Sequence, residues 1–274
     1  MSVAKELLVR PGSKVSLKKV DAGGTPGISS REAAAAELAD IVTELRQLQY
    51  RLYAENRRAV LVVLQAMDAA GKDGLVRSVF SGLNPQGCRV TPFKAPSAEE
   101  LDHDFLWRIH KAVPPKGEIG VFNRSHYEDV LIVRVHKLVD KSVWKGRYEQ
   151  IRLFEKLLAD NGVTVVKFFL HISRKEQTER LLARLENPER NWKFSEADLE
   201  ERKYWGDYQE AYEEALSQCS VSEAPWYVIP ADRKWYRDWA VAKILLQTMR
   251  DMKLKFPAPL ADVKALRRKL QALS

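Results

Sequence analysis

Ala59-Val-Leu-Val-Val-Leu64 runs without a break into Gln65-Ala-Met-Asp-Ala-Ala-Gly-Lys-Asp-Gly74. The first six residues are apolar and largely β-branched. That pattern predicts a central parallel strand covered by helices on both faces rather than a strand with one wet face. The loop that follows, with a helix expected after it, supplies the strand, loop and helix context of a phosphate cradle. In such a cradle the backbone N–H groups around Ala70, Gly71, Lys72, Asp73 and Gly74 point at phosphate oxygens. The helix N-terminus adds partial positive charge, and Lys72 bridges two phosphates. Glycine is needed where a Cβ would block that approach. The match to G-x-x-x-x-G-K-[ST] is incomplete, because Ala66 stands for the first Gly and Asp73 for the Ser or Thr that normally ligates magnesium. Asp68, a hard oxygen donor inside the loop, is the candidate to take over that duty.

Outward from this loop the chain alternates. Helix is expected over 74–82, strand over 89–93, helix from Ser97 (with Glu100 completing a capping box) to His110, and strand over 119–122. A helix over 142–161, closed by Gly162, leads to a strand over 163–172. A short strand at Trp226-Tyr-Val-Ile229 precedes a helix from Lys234 to about Lys253. Upstream, Ser29 and Glu32 have capping-box spacing, and Leu38, Ile41, Leu45, Leu48 and Leu52 trace one buried stripe of a helix reaching about Asn56. The predicted class is α/β: a P-loop kinase-like three-layer sandwich with about five parallel strands covered by helices, and a helical lid. Residues 1–28 read as an arm laid over the surface or partly disordered. Residues 29–253 read as the kinase domain, with the lid at about 173–220, and 254–274 as a basic C-terminal helix.

Composition sets the outer limits. A chain of 274 residues, 45% hydrophobic and 30% charged, falls in the globular range, which excludes disorder as its main state. Its longest apolar run is far short of the ~18–20 residues of a membrane span, and Met1 to Arg10 lacks the blocks of a secretory signal. The expected location is the cytoplasm, without a membrane partner. Cys88 and Cys219 belong to no paired ligand pattern, which excludes a disulfide framework or structural zinc. The histidines show no metal-binding spacing. A net charge of +8 suits a polyanionic partner but does not choose among nucleic acid, anionic lipid and condensed phosphate.

A second cluster, Gly120-Val-Phe-Asn-Arg-Ser-His-Tyr-Glu-Asp-Val130, crowds charge at the carboxyl end of a later strand, where open α/β sheets bind ligands. An ordinary P-loop enzyme has an Asp there that orders magnesium through water; here the position is Asn123. Glu128 and Asp129 can restore a carboxylate near the metal or contact the nucleotide. Arg124 is placed to neutralise charge on a transferring phosphoryl group.

Asp68-Ala-Ala-Gly-Lys-Asp-Gly74, Asn84-Pro-Gln-Gly87, Phe93-Lys-Ala-Pro-Ser97, Asp104-Phe-Leu-Trp-Arg108 and Phe122-Asn-Arg-Ser-His-Tyr-Glu128 together resemble the polyphosphate kinase 2 family over roughly residues 30 to 252. The resemblance implies magnesium- or manganese-dependent transfer between inorganic polyphosphate and adenine or guanine nucleotides, in a homodimer or homotetramer. Carried over by position, Asp68 holds the metal and positions the accepting phosphate, with Glu128 as a helper on the metal. Lys72 binds the phosphates, and Arg124 stabilises the transferred group. Asn123 combined with Glu128 is similar to the family's third class, whose members accept both nucleoside monophosphates and diphosphates.

Further cations fit a phosphate chain, which offers charge and no bases. Arg180 and Arg184 share a helix face and, with Lys193, are expected to close over the chain, with surface pairing to Glu176 and Glu179 as the bland alternative. Arg77 and Arg108 are expected to bind phosphate as well, and Lys94 and Arg233 are further candidates. Leu199, Trp205, Tyr208 and Tyr212 read as a packing stripe. Val263 to Leu270 reads as a basic amphipathic helix against a neighbouring subunit or the chain's own surface. Two other functions share parts of this pattern. An ATP-dependent nucleotide or small-molecule kinase would have the same loop and lid. A nucleic-acid-binding P-loop NTPase is favoured by charge alone and lacks a recognisable reader module, so nucleic acid is not an expected partner.

Overall fold

A computed structural model of the chain describes residues 2–194, 196–259 and 261–273. The apolar stretch before the phosphate loop forms β1 (Ala59–Ala66), buried along its whole length. It lies at the centre of a five-stranded, wholly parallel sheet with β2 (Cys88–Pro92), β3 (Ile119–Asn123), β4 (Val163–His171) and β5 (Trp226–Pro230), in the order β2-β3-β1-β4-β5. Leu64 pairs with Asn123 on one side and Phe168 on the other, so the phosphate loop and the Asn123 cluster leave the sheet side by side. A strand flanked on both edges and packed on both faces has no wet surface. Its sequence is therefore a continuous apolar run rather than an alternation.

Parallel neighbours require crossovers, and these are right-handed. From β1 the chain passes through α3 (Lys72–Leu75) and a wider helical turn at Val76–Phe80 to the β2 edge. It returns through α4 (Ala98–Leu101) and α5 (Trp107–Ala112) to β3, through α6 (Ile132–Val135) and α7 (Lys141–Asp160) to β4, and through α8 (Arg174–Glu186), α9 (Glu196–Glu201) and α10 (Trp205–Cys219) to β5. The first crossover runs towards one edge and the later ones towards the other, so right-handedness places them on opposite faces. α2 (Arg31–Glu55) and α11 (Lys234–Asp251) join α3 on its face, tied together by Arg250 on Glu44 and by Trp239 Nε1 donating to Glu37 at 2.7 Å.

Local signals were displaced where side chains compete for the backbone. Ser30, not Ser29, caps α2, accepting from the Ala33 N–H at 3.2 Å, which leaves Glu32 a residue short of a reciprocal box. The Ser97–Glu100 box forms in both halves, at 3.2 and 2.8 Å. The single helix expected from it is nevertheless two, because the Asp104 carboxylate accepts from the Leu106 N–H at 2.9 Å and opens a new turn. The helix expected from Gly74 begins at Lys72 instead, directly out of the phosphate loop.

Residues 2–28 are not a loose arm. α1 (Val3–Leu7) and the turn at Leu17 bury Val3, Leu7, Val9 and Leu17. Leu8 bridges Tyr227 in antiparallel sense, and the Val9 N–H donates to the Trp226 carbonyl at 2.9 Å. The arm thereby covers the β5 edge, whose free N–H and C=O groups would otherwise invite pairing with another chain. At the other end, α12 (Val263–Gln271) carries no buried residue. Among the described residues no helix is long and apolar enough to cross a membrane.

Candidate active site

The loop after β1 turns back on itself with Ala69 at φ 61 and Gly71 at φ 97. Left-handed residues next to right-handed ones turn successive N–H groups towards one point, an anion-binding concavity. Gly71 is required twice over: its φ suits glycine, and a Cβ there would stand 2.1 Å from Arg237 Nη1. Lys72 Nζ donates to the Ala66 carbonyl at 3.2 Å. Burial and the nearby Arg124 push its pKa below the usual lysine value, against the pull of Asp68 and Glu128. An ammonium under that strain gains from an added anion.

Arg124 follows β3 at φ 64, its N–H donating to the Leu64 carbonyl at 3.1 Å, and its Nη2 donates to Asp68 Oδ1 at 2.9 Å. Burial works against its charge, but Glu128 and Asp68 outweigh it and raise the guanidinium's pKa. Beside this pair Asn123 Nδ2 donates to Asp73 Oδ1 at 2.8 Å. The residue standing for the Walker serine and the residue standing for the metal-ordering aspartate are thus bonded to each other.

Asp68 and Arg124 stand where two cavities meet. One is a groove of about 1280 Å³ reached by Lys72, Arg77, Lys94, Arg184, Arg190 and Lys234. The other is a pocket of about 250 Å³ bounded by Glu128, Glu201, Arg202, Tyr208 and Tyr212. Tyr212 is buried as a packing residue should be, yet it and Tyr208 also wall this pocket.

The structure separates the remaining predicted cations by what holds them. Arg180 lines the groove, where its guanidinium is held by the protein itself. Its Nε donates to Glu176, its Nη1 to the carbonyls of Ala69 and Ala70, and its Nη2 to those of Ala231 and Asp232, at 2.6–3.1 Å. All five guanidinium donors are taken, so Arg180 braces the phosphate loop from the wall of the groove. Arg184 lines the groove 3.9 Å from Asp198. Arg108 lies in neither cavity: it donates to the Lys94 carbonyl at 2.9 Å and stacks over Phe93. Asp129 is paired with Arg147 at 3.1 Å, away from both cavities. Arg233 donates to the Gly23 carbonyl and ties down the arm. The Lys193 side chain lies outside the described residues.

Three residues missed by sequence belong here. Arg237, buried on α11, donates to the Ala70 carbonyl at 3.1 Å. Gln177, buried on α8, donates to the Asp68 carbonyl at 3.0 Å and accepts from Arg202 at 2.7 Å, linking the loop to the turn after α9. Lys234 was findable, since it opens α11 four residues past the carboxyl end of β5, the same end of the sheet that singled out Asn123 and Arg124. No local signal marks the other two.

Among the described residues no three or more His, Cys, Asp or Glu converge to cage a metal. Asp68 and Glu128 do line one pocket. Two hard carboxylates with open space around them suit magnesium, which keeps waters and takes substrate phosphate oxygens rather than filling an all-protein cage.

The family model described as Polyphosphate kinase 2 matches residues 28–257. The AMP/ADP-polyphosphate phosphotransferase of Meiothermus ruber is 52% identical over 93% of this chain and 96% of its own length. The ADP-polyphosphate phosphotransferase of Rhodopseudomonas palustris is 50% identical over 92% of each chain. The crystal structure of polyphosphate kinase 2 from Arthrobacter aurescens superimposes with a TM-score of 0.95 at 46% identity, covering 100% of this chain and 98% of that one.

Proposed function

Since the chain belongs to the polyphosphate kinase 2 family, we propose that it moves phosphoryl groups reversibly between inorganic polyphosphate and adenine nucleotides, accepting both AMP and ADP. The observation that carries this is the junction at Asp68 and Arg124. A groove of about 1280 Å³ with more cations than carboxylates on its lining suits a phosphate polymer, and the bounded pocket beside it, walled by carboxylates and tyrosines, suits one nucleotide. The relative named for AMP and ADP and the one named for ADP are almost equally similar to this chain. Acceptance of both nucleotides therefore rests on Asn123 and Glu128.

In the forward direction an oxygen of the nucleotide's terminal phosphate attacks the terminal phosphorus of the polymer in line, and the shortened polymer leaves on its own phosphate oxygen. The attacking oxygen is already ionised near neutral pH, so positioning and electrostatics supply the rate and no general base is required. Loop N–H groups and Lys72 hold the donor phosphates, and Arg124, fixed by Asp68, faces the oxygens that gain charge. Magnesium, held by Asp68 with Glu128 beside it, would neutralise charge shared between the two phosphates. The lid excludes water and so prevents hydrolysis.

The test is a paired assay of purified protein with magnesium, long-chain polyphosphate and either AMP or ADP. The expected result is ADP and then ATP from AMP, and ATP from ADP. Formation of product from ADP alone would remove the monophosphate activity. No product from either nucleotide overturns the proposal and returns the site to an ATP-dependent kinase.

A further inference from the structure

Beneath the turn that carries Asn123, Arg124 and Glu128 lies a charged cluster that the transfer chemistry does not use. Lys167 on β4 and Glu155 on α7 are completely buried and ion-paired. Lys167 Nζ also donates to the Tyr127 hydroxyl and to the Cys219 carbonyl, each at 2.8 Å, so all three of its protons have acceptors. The Tyr127 hydroxyl in turn donates to Glu155 Oε1 at 2.9 Å, and His126 Nε2 stands 3.2 Å from the same oxygen. Burying such a pair is seldom more stabilising than packing apolar side chains of the same volume, so stability alone does not account for it.

What the cluster holds is His126 and Tyr127, two and three residues after Arg124. Ser125, His126 and Tyr127 are all completely buried, and Ser125 Oγ accepts from the Tyr127 N–H at 3.2 Å. Arg124 itself is left-handed, a conformation that a non-glycine keeps only where its surroundings over-determine it. Two restraints bracket it: its own N–H on the Leu64 carbonyl, and the anchored tyrosine three residues on. Apolar packing resists removal from the core but orients poorly, whereas hydrogen bonds are directional.

We propose that Lys167, Glu155 and Tyr127 are positioning residues: they lock the turn after β3 so that the Arg124 guanidinium meets Asp68 at the junction of the two cavities. The catalytic half of this rests on the polyphosphate–nucleotide reading of the site; the anchoring half does not. Tyr127→Phe deletes one hydroxyl and keeps the buried ion pair. It is expected to lower kcat about tenfold while the KM for polyphosphate stays within about twofold. In an Arg124→Ala background the same change is expected to cost less than about twofold, because the residue being positioned is gone. Hydrogen exchange of the amides of residues 124–128 should quicken in Tyr127→Phe while those of β1 stay protected. Losses that multiply independently in the double variant, or unchanged exchange in the turn, overturn the proposal. Should Tyr127→Phe not fold, the paired variant Lys167→Met with Glu155→Leu, which removes both charges together, enters the same cycle. A wild-type protein inactive with polyphosphate refutes the functional reading, and the exchange measurement still decides the anchor.

Discussion

That Asp68, Lys72 and Arg124 share one cavity is legible because each lies just past an apolar strand's end, where parallel sheets bind ligands. Asp68→Asn and Lys72→Ala are each expected to lower kcat by at least about a hundredfold, with the thermal unfolding midpoint moved by no more than a few degrees. Near-normal turnover in either variant would refute the site. Arg180 was legible only in its pairing with Glu176, four residues earlier: its other acceptors are backbone carbonyls about a hundred residues earlier and fifty later, and no spacing rule connects them. Asp129 is a comparable case, a carboxylate that spacing places near the site and folding places under it. Burial raises its pKa from 3.8 to about 6 even though Arg147 and Arg108 pull the other way. A carboxyl raised in the folded state contributes stability that is complete below its unfolded pKa and is lost as pH climbs through the folded value. Asp129→Asn lacks that dependence. Its stability relative to the parent should therefore improve by roughly 2 kcal/mol between pH 4 and pH 7, read from urea unfolding at both. A pH-independent difference would show that Asp129 titrates normally.

At the scale of elements, long periodic stretches were read closely and short interrupted ones were not. The stripe of α2 buries Ile41, Leu45, Leu48 and Leu52 as its rhythm predicts, because 25 residues of helix repeat one signal many times. Between Ser97 and Ala112 a single carboxylate, Asp104, was enough to split one expected helix into two. The N-terminal segment carries no period at all, and its order comes from contacts far along the chain: Val15 N–H on Ser217, Leu17 N–H on Glu213 and the bridge to β5. Deleting residues 2–20 should cost at least about 5 kcal/mol, since it exposes several buried aliphatic side chains. It should also leave the β5 edge open to association. A lowered urea midpoint together with concentration-dependent oligomers in size-exclusion chromatography is the expected result. A monodisperse, equally stable truncation would show that the arm is dispensable.

For the whole molecule, part of the net charge of +8 acquires a location, a groove lined, among the described residues, by nine Lys and Arg against six Asp and Glu. Arg77, Lys94, Arg184, Arg190 and Lys234 line one groove, and fields from exposed cations are screened within ~8–10 Å at physiological salt. Raising salt from 50 to 300 mM should therefore raise the KM for polyphosphate by about tenfold or more while moving the KM for ADP far less. Equal shifts for both substrates would place the polymer elsewhere. The sequence by itself determined the strand and phosphate loop, the parallel sheet, the missing Walker serine and the family resemblance. These are written in residues adjacent along the chain, and local sterics and periodicity act on neighbours. Only the tertiary structure decided that Asp73 is bonded to Asn123, that Arg180 and Arg237 brace the loop, and that two cavities meet at Asp68 and Arg124. Those facts depend on which carbonyls and side chains the crossovers bring into hydrogen-bond distance of one another, and hydrogen bonds and charge act over distance in space, not along the chain.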